Sequence, residues 1–309
     1  MKKTYLKIII SSFTIAFSSC SKDDPTPAPV VVVPPAVVTD VLTTTNAKTY
    51  MVDPNATAET VALFYNLKKL AKTKFAIGQQ DAFNSFYNNG SSAQSDIKKT
   101  TGYDPALLGS DFMFITDKNN NGQANNWFYQ QEVIITDDVK EAYAKGMINI
   151  FCWHLREPNK EDSFYASDLT DAAKTTAFKS ILPGGINNAW YKTKLDKVES
   201  VVSNLKGSNG ELIPIIFRPF HEFDGSWFWW GANFCSPEDY KAAYQFTVDY
   251  LKNTKGVHNI LYAFSPDNSY STSTNYLSRY PGDAYVDVLG MDNYGDFNNQ
   301  GQTGSDRAN

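Results

Sequence analysis

The chemistry in this sequence is densest over residues 213–231, which read Ile-Pro-Ile-Ile-Phe-Arg-Pro-Phe-His-Glu-Phe-Asp-Gly-Ser-Trp-Phe-Trp-Trp-Gly. An apolar run meets Arg218, Pro219, His221 and Glu222, and a turn at Asp224-Gly225 then presents four aromatics. Pro219 has no N–H to donate, so regular strand pairing is expected to stop there. A carboxyl among aromatic rings holds its proton toward neutral pH because burial disfavours the anion. Such a group can protonate the leaving oxygen of a glycosidic bond, a reaction that also needs a second carboxylate as nucleophile or water activator. The plainer alternative is an ordinary ion pair between Arg218 and Glu222 at a strand end.

These residues need elements to position them. From Ala58 the pattern alternates between amphipathic helices and short apolar runs. Helices are expected over 58–74, 136–145, 190–206 and 237–253. Strands are expected within 75–80, 106–115, 147–155, 212–220, 259–265 and 286–294. Near-continuous apolar strands between helices indicate a parallel sheet covered on its faces. Nearly every run ends in polar or aromatic groups: Gln79-Gln80, Asp111, Trp153-His154, Arg218 to Glu222, and Asp292 to Tyr294. Strand carboxyl ends build the sites of (β/α)8 barrels, and no Gly-rich phosphate loop follows the first strand. The expected fold class is therefore α/β, a (β/α)8 TIM barrel with about six βα units in this chain.

Composition narrows the ligand. The 309 residues carry a net charge of −5 with both signs dispersed, so no basic stripe suits a nucleic acid. Aromatics at 14% are compatible with sugar stacking and equally with core packing. Three histidines without a Cys/His/Asp cluster in the sequence imply no metal site, and no cofactor is expected.

The N-terminus has the plan of a secretory signal: Lys2-Lys3, an apolar run to Phe17, then Ser18-Ser19-Cys20. It resembles a bacterial lipoprotein signal, in which Cys20 would be lipidated, against the alternative of a plain cleaved signal. Residues 25–38 hold five prolines and read as an extended tether. The expected organisation is a signal over 1–20, a tether over 21–50 and a barrel domain over 51–309. Cys152 and Cys235 can pair or remain free thiols.

The chain resembles glycoside hydrolase family 26, whose typical members are β-mannanases, over most of residues 55–295. The likeness rests on Gly78-Gln79-Gln80, Leu107 to Phe112, Cys152-Trp153-His154, and Arg218-Pro219-Phe220-His221-Glu222 with Gly225 and Trp227 to Gly231. It continues in Ser265-Pro266, Tyr280-Pro281-Gly282-Asp283 and Gly290-Met291-Asp292-Asn293-Tyr294. One departure is Arg156-Glu157-Pro158, where many mannanases carry asparagine before the proline.

By resemblance, Glu222 would be the acid/base of a retaining endo-β-1,4-mannanase acting on mannan or galactomannan. His221 would order the centre, Trp227 would form sugar platform, His154 would contact the sugar beside the scissile bond, and Tyr294 would hold the nucleophile. Arg218 would orient a carboxylate, while Trp190, Trp229 and Trp230 are expected to pack in the core. The protein would sit on the outer membrane or cell surface of a Gram-negative bacterium through its lipid anchor. The family's nucleophile, a glutamate on a seventh strand, is expected beyond Asn309, with Glu157 and Asp292 as poor substitutes. The domain is thus expected to be C-terminally incomplete, and this polypeptide by itself weakly active or inactive, with two exposed sheet edges. The rival readings are a β-xylanase or β-glucanase of the same family and a surface glycan-binding lipoprotein without hydrolysis.

Overall fold

The computed structural model describes residues 41–83, 94–270 and 272–294. Lys2, Lys3, Cys20, residues 21–40 of the expected tether and the segment 295–309 lie outside the described residues. The chain divides into a leading unit, Met1–Val41, and a main unit, Leu42–Asn309.

Six strands form one parallel sheet in sequence order: β1 (Gly78–Gln80), β2 (Leu107–Asp111), β3 (Ile148–Cys152), β4 (Ile215–Arg218), β5 (Ile260–Phe264) and β6 (Val288–Leu289). Helices α1 (Ala58–Leu70), α2 (Asp96–Thr101), α3 (Trp127–Ala144), α4 (Asp171–Ser180), α5 (Asn188–Val202), α6 (Pro237–Asp249) and α7 (Ser273–Leu277) lie before and between them. Every pairing is parallel, from Gly78 beside Leu107 to Phe264 beside Leu289. These are consecutive βα units of the barrel fold, and all six carboxyl ends lie along one end of the sheet.

The period-2 geometry of the strands divides the core in two. Phe151, Ile215, Phe217, Ile260, Tyr262 and Phe264 join the large cluster that includes the buried sides of α3, α5 and α6. Ile216, Leu261 and Ala263 face the other way and pack with Phe64 of α1. Burying a side chain of this size stabilises by about 1.5–3 kcal/mol.

Helix starts follow local capping chemistry. Thr57, Ser95, Asn126, Thr170 and Ser236 each accept a backbone N–H from the first turn, and Pro237 sits just inside α6. The Asn126 cap starts α3 nine residues before the expected 136, ahead of the stretch where the apolar spacing becomes regular. The first expected strand shrinks to Gly78–Gln80, and Phe75 and Ile77 are 84% and 58% exposed. Among the described residues no helix is long and apolar enough to cross a membrane.

Candidate active site

Beyond Arg218 the chain reverses abruptly. Phe220 and Glu222 both adopt the left-handed backbone region, with φ of 51° and 53°. For residues with a Cβ this costs about 1–3 kcal/mol each, so the surroundings must enforce it. The Phe220 carbonyl accepts from the Tyr240 hydroxyl at 3.2 Å, and the His221 carbonyl from Trp230 Nε1 at 2.7 Å. Glu222 donates its N–H to the Ser265 carbonyl at 2.9 Å. The strained turn is thus pinned from α6, from the aromatic loop and from the end of β5.

Trp227 Nε1 donates to Glu222 Oε2 at 2.8 Å. Burial pushes the Glu222 carboxyl above its ordinary range; the Asp292 charge adds to this, and the Trp227 hydrogen bond opposes it. Trp227 remains 39% exposed and its ring crosses Gly225, where a Cβ would lie 2.3 Å from ring carbons.

Two ion pairs flank this centre. His154 Nδ1 meets Asp111 Oδ2 at 2.5 Å, and the His154 N–H donates to Asp111 Oδ1 at 3.1 Å. Burial alone would lower His154, but the Asp111 hydrogen bond and charge outweigh it and the net shift is upward. Burial would raise Asp111, and its His154 contacts bring it below the usual carboxylate range. On the other side Arg218 Nη2 donates to both oxygens of Asp292 at 2.5 Å, and Ser265 Oγ donates to Oδ2 at 2.8 Å. The expected alternative of an Arg218–Glu222 pair is replaced by this one, because β6 delivers Asp292 to the guanidinium.

His221 lies between these pairs, 3% exposed, with its ring 4.7 Å from that of His154. Burial and the Arg218 charge hold it well below an ordinary imidazole, so it is neutral. Its Nδ1 and Arg218 Nε are buried without a hydrogen-bond partner among the described residues. Tyr294 is 70% exposed, and burial of its hydroxyl and the nearby Glu222 and Asp292 charges raise it above an ordinary phenol.

Cys152, His154 and His221 offer ligand atoms within 4.8 Å of one another. The Arg218 charge beside Cys152 and His221 disfavours a cation there, and His154 Nδ1 is already engaged by Asp111. Cys152 and Cys235 are both free thiols.

The structure thus gathers Glu222, His154, Arg218, His221, Trp227 and Tyr294 at one end of the sheet. Glu157 has a different place. It is 4% exposed and its carboxylate caps a turn, accepting the N–H groups of Asn159, Lys160 and Glu161. Arg156 turns away to Asp117 Oδ2 at 2.5 Å. Trp229 and Trp230 are fully buried, and Trp190 packs against the same core.

An aromatic wall beside the site is not legible in the sequence. Tyr165 forms an antiparallel bridge with Phe228, and their rings stack 5.9 Å apart at 26°. Phe164 and Phe228 in turn contact His154 at 4.8 and 5.3 Å between centroids. Only the loop-to-loop pairing reveals it. Asp111 and Asp292 were visible as strand-end carboxylates, but not the partners they take.

The chain matches the model of glycosyl hydrolase family 26 over residues 52–306. It is 40% identical over 253 residues to a mannan endo-1,4-beta-mannosidase of Bifidobacterium adolescentis, covering 78% of this chain and 24% of that protein. A mannan endo-1,4-beta-mannosidase of Bacillus subtilis is 27% identical over 258 residues, with 79% and 66% covered. Among solved structures, GH26C of a Muricauda species superposes with a TM-score of 0.84 at 59% identity, covering 86% of this chain and 71% of that one. A Cellulomonas fimi endo-beta-1,4-mannanase gives 0.70 at 37% identity, with 79% and 53% covered. The chain therefore spans about a quarter of the Bifidobacterium relative and about two thirds of the Bacillus one.

Proposed function

The chain belongs to glycosyl hydrolase family 26, and on that premise we propose that Glu222 is the acid/base of a retaining endo-β-1,4-mannanase. The observation that carries this reading is the Glu222 carboxyl itself, raised by burial, fixed by Trp227 and set at the strand ends. In the first step Glu222 gives its proton to the glycosidic oxygen as that bond breaks and the nucleophilic carboxylate bonds to the anomeric carbon. In the second it takes a proton from the water that attacks that carbon and displaces the carboxylate.

The retaining route needs a nucleophilic carboxylate about 5–5.5 Å from the acid. Asp292 is engaged by Arg218 and Ser265, and Glu157 by three backbone N–H groups. By the family resemblance the nucleophile is instead a further glutamate, outside the described residues. Arg218 Nε and His221 Nδ1, both buried and unpartnered among the described residues, are the groups suited to hold it. Tyr294 places its hydroxyl near Glu222, Asp292 and Arg218. Trp227 and Tyr165, 39% and 47% exposed, offer ring faces to sugar, and the His154–Asp111 pair offers hydrogen bonds to hydroxyls.

The names of the relatives support β-1,4-mannan as substrate rather than xylan or glucan. The N-terminal plan ending in Cys20 supports export and attachment to an outer membrane by lipid. Digestion of mannan, galactomannan, xylan and mixed-linkage glucan by the full protein, nucleophile included, as wild type and as Glu222→Gln, tests the substrate assignment. Mannan-selective cleavage abolished by the substitution is expected; equal action on xylan, or full activity of the variant, contradicts it.

A further inference from the structure

The loop carrying Trp227 is fastened from behind by side chains outside the cluster around Glu222. Arg279, between α7 and β6, is 4% exposed. A guanidinium stays charged when buried, so its donors must all be met. Arg279 donates through Nη2 to the carbonyls of Ala232 and Cys235 at 3.1 and 2.9 Å. Its Nη1 reaches Cys235 Sγ and its Nε the Tyr270 hydroxyl, both at 3.4 Å. Ala232 in turn donates its N–H to the Gly225 carbonyl at 3.1 Å, directly beneath the Trp227 ring.

Asp224 closes the circuit from the β5 side. Its carboxylate accepts the N–H groups of Asp267 at 2.5 Å and Tyr270 at 3.1 Å, together with the Ser269 hydroxyl. Tyr270 packs edge-on against Phe223 with centroids 5.8 Å apart. The loops after β4 and β5 and the segment before β6 are thereby joined at one point.

We propose that Asp224, Tyr270 and Arg279 form a clamp that sets Trp227 against Glu222, making them positioning residues for the glycosidase described above. The inference rests on that functional reading. Glu222 is faced by His154 from β3, Arg218 from its own strand, Asp267 from the β5 loop, and Asp292 and Tyr294 from the β6 end. None of these is replaced when the clamp is cut, so a change in Glu222 reports the loop.

The test compares wild type with Arg279→Gln, Asp224→Asn and Tyr270→Phe in the full protein. Steady-state kinetics on a manno-oligosaccharide across pH are combined with hydrogen exchange of the 223–236 peptides. Arg279→Gln and Asp224→Asn are expected to lower kcat roughly ten- to a hundredfold, with a smaller change in KM. Water reaching a loosened Glu222 relieves the burial that is the largest cause of its raised pKa and outweighs the lost Trp227 hydrogen bond, so the basic limb of kcat moves to lower pH, opposite to a Trp227→Phe change that leaves the ring in place. The amides of Gly231 and Ala232 are expected to exchange at least about tenfold faster, while those of β4 stay protected. Wild-type kcat and basic limb in both variants overturn the clamp, as does exchange that rises equally through the sheet. If Arg279→Gln does not fold, Asp224→Asn decides the question. If the wild type does not cleave mannan, the functional reading fails and hydrogen exchange alone decides the clamp.

Discussion

Trp227 donates to one oxygen of Glu222 from five residues along the same loop, at 2.8 Å. The proposed acid and the ring that steadies it are therefore fixed by a single turn, and the turn depends on Gly225. A hydrogen bond to the carboxylate favours the ionised form, so it moderates the upward push of burial. Replacing Trp227 with Phe removes the donor and keeps most of the ring. The Glu222 pKa should then rise, and the basic limb of kcat, where the acid loses its proton, should move to higher pH. A pH–rate profile on an oligosaccharide reads this directly; an unmoved limb contradicts it.

Gly225 makes a sharper prediction. A Cβ there would sit 2.3–2.5 Å from three carbons of the Trp227 indole, so Gly225→Ala forces the ring away from Glu222. Activity should fall about as far as in Trp227→Ala, while the melting temperature changes little. Kinetics and thermal unfolding of the two variants side by side check it.

The Asp111–His154 pair predicts a pH window for stability. The Asp111 pKa is lowered in the fold, so its contribution is present above the ordinary aspartate range and is lost as pH falls through the folded value. The His154 pKa is raised, so its contribution is complete below about 6.5 and is lost as pH climbs through the folded value. The two overlap between about pH 4 and 6.5. Asp111→Asn should cost about 1–3 kcal/mol there and less outside the window, as read by denaturant unfolding across pH.

Arg218→Met should destabilise the protein, because Asp292 then loses its cation beside the raised Glu222 carboxyl. Breaking a partly buried pair from one side costs about 3 kcal/mol. Adding Asp292→Asn in the same background should recover part of that loss, which a double-mutant cycle measures.

Much of this was legible in the sequence, for identifiable reasons. The six strands are apolar enough to be seen as runs, and their polar ends mark one rim because the order is parallel. Strand limits were overestimated wherever apolar residues continue past the pairing, as at Leu155, whose carbonyl serves Trp229 instead. Helix α4 escaped because its buried face is short, Ala177, Phe178 and Ser180, and α3 was cut short for want of reading Asn126 as a cap. At the site, residue types singled out Glu222 as the candidate acid, but pairing was hidden. That Arg218 takes Asp292, 74 positions away, rather than Glu222, is decided by the neighbouring strands and by the left-handed turn at Phe220 and Glu222.

The central claim is that Glu222 is the acid/base, and the most direct measurement is chemical rescue of Glu222→Ala. On an aryl β-mannobioside, whose leaving group departs without a proton, the variant should still form the glycosyl-enzyme but turn it over slowly. Azide, which attacks without general-base help, should restore turnover and release a β-mannosyl azide while mannan hydrolysis stays abolished. A variant that azide leaves unchanged, or one that still cleaves mannan at the wild-type rate, would contradict the account.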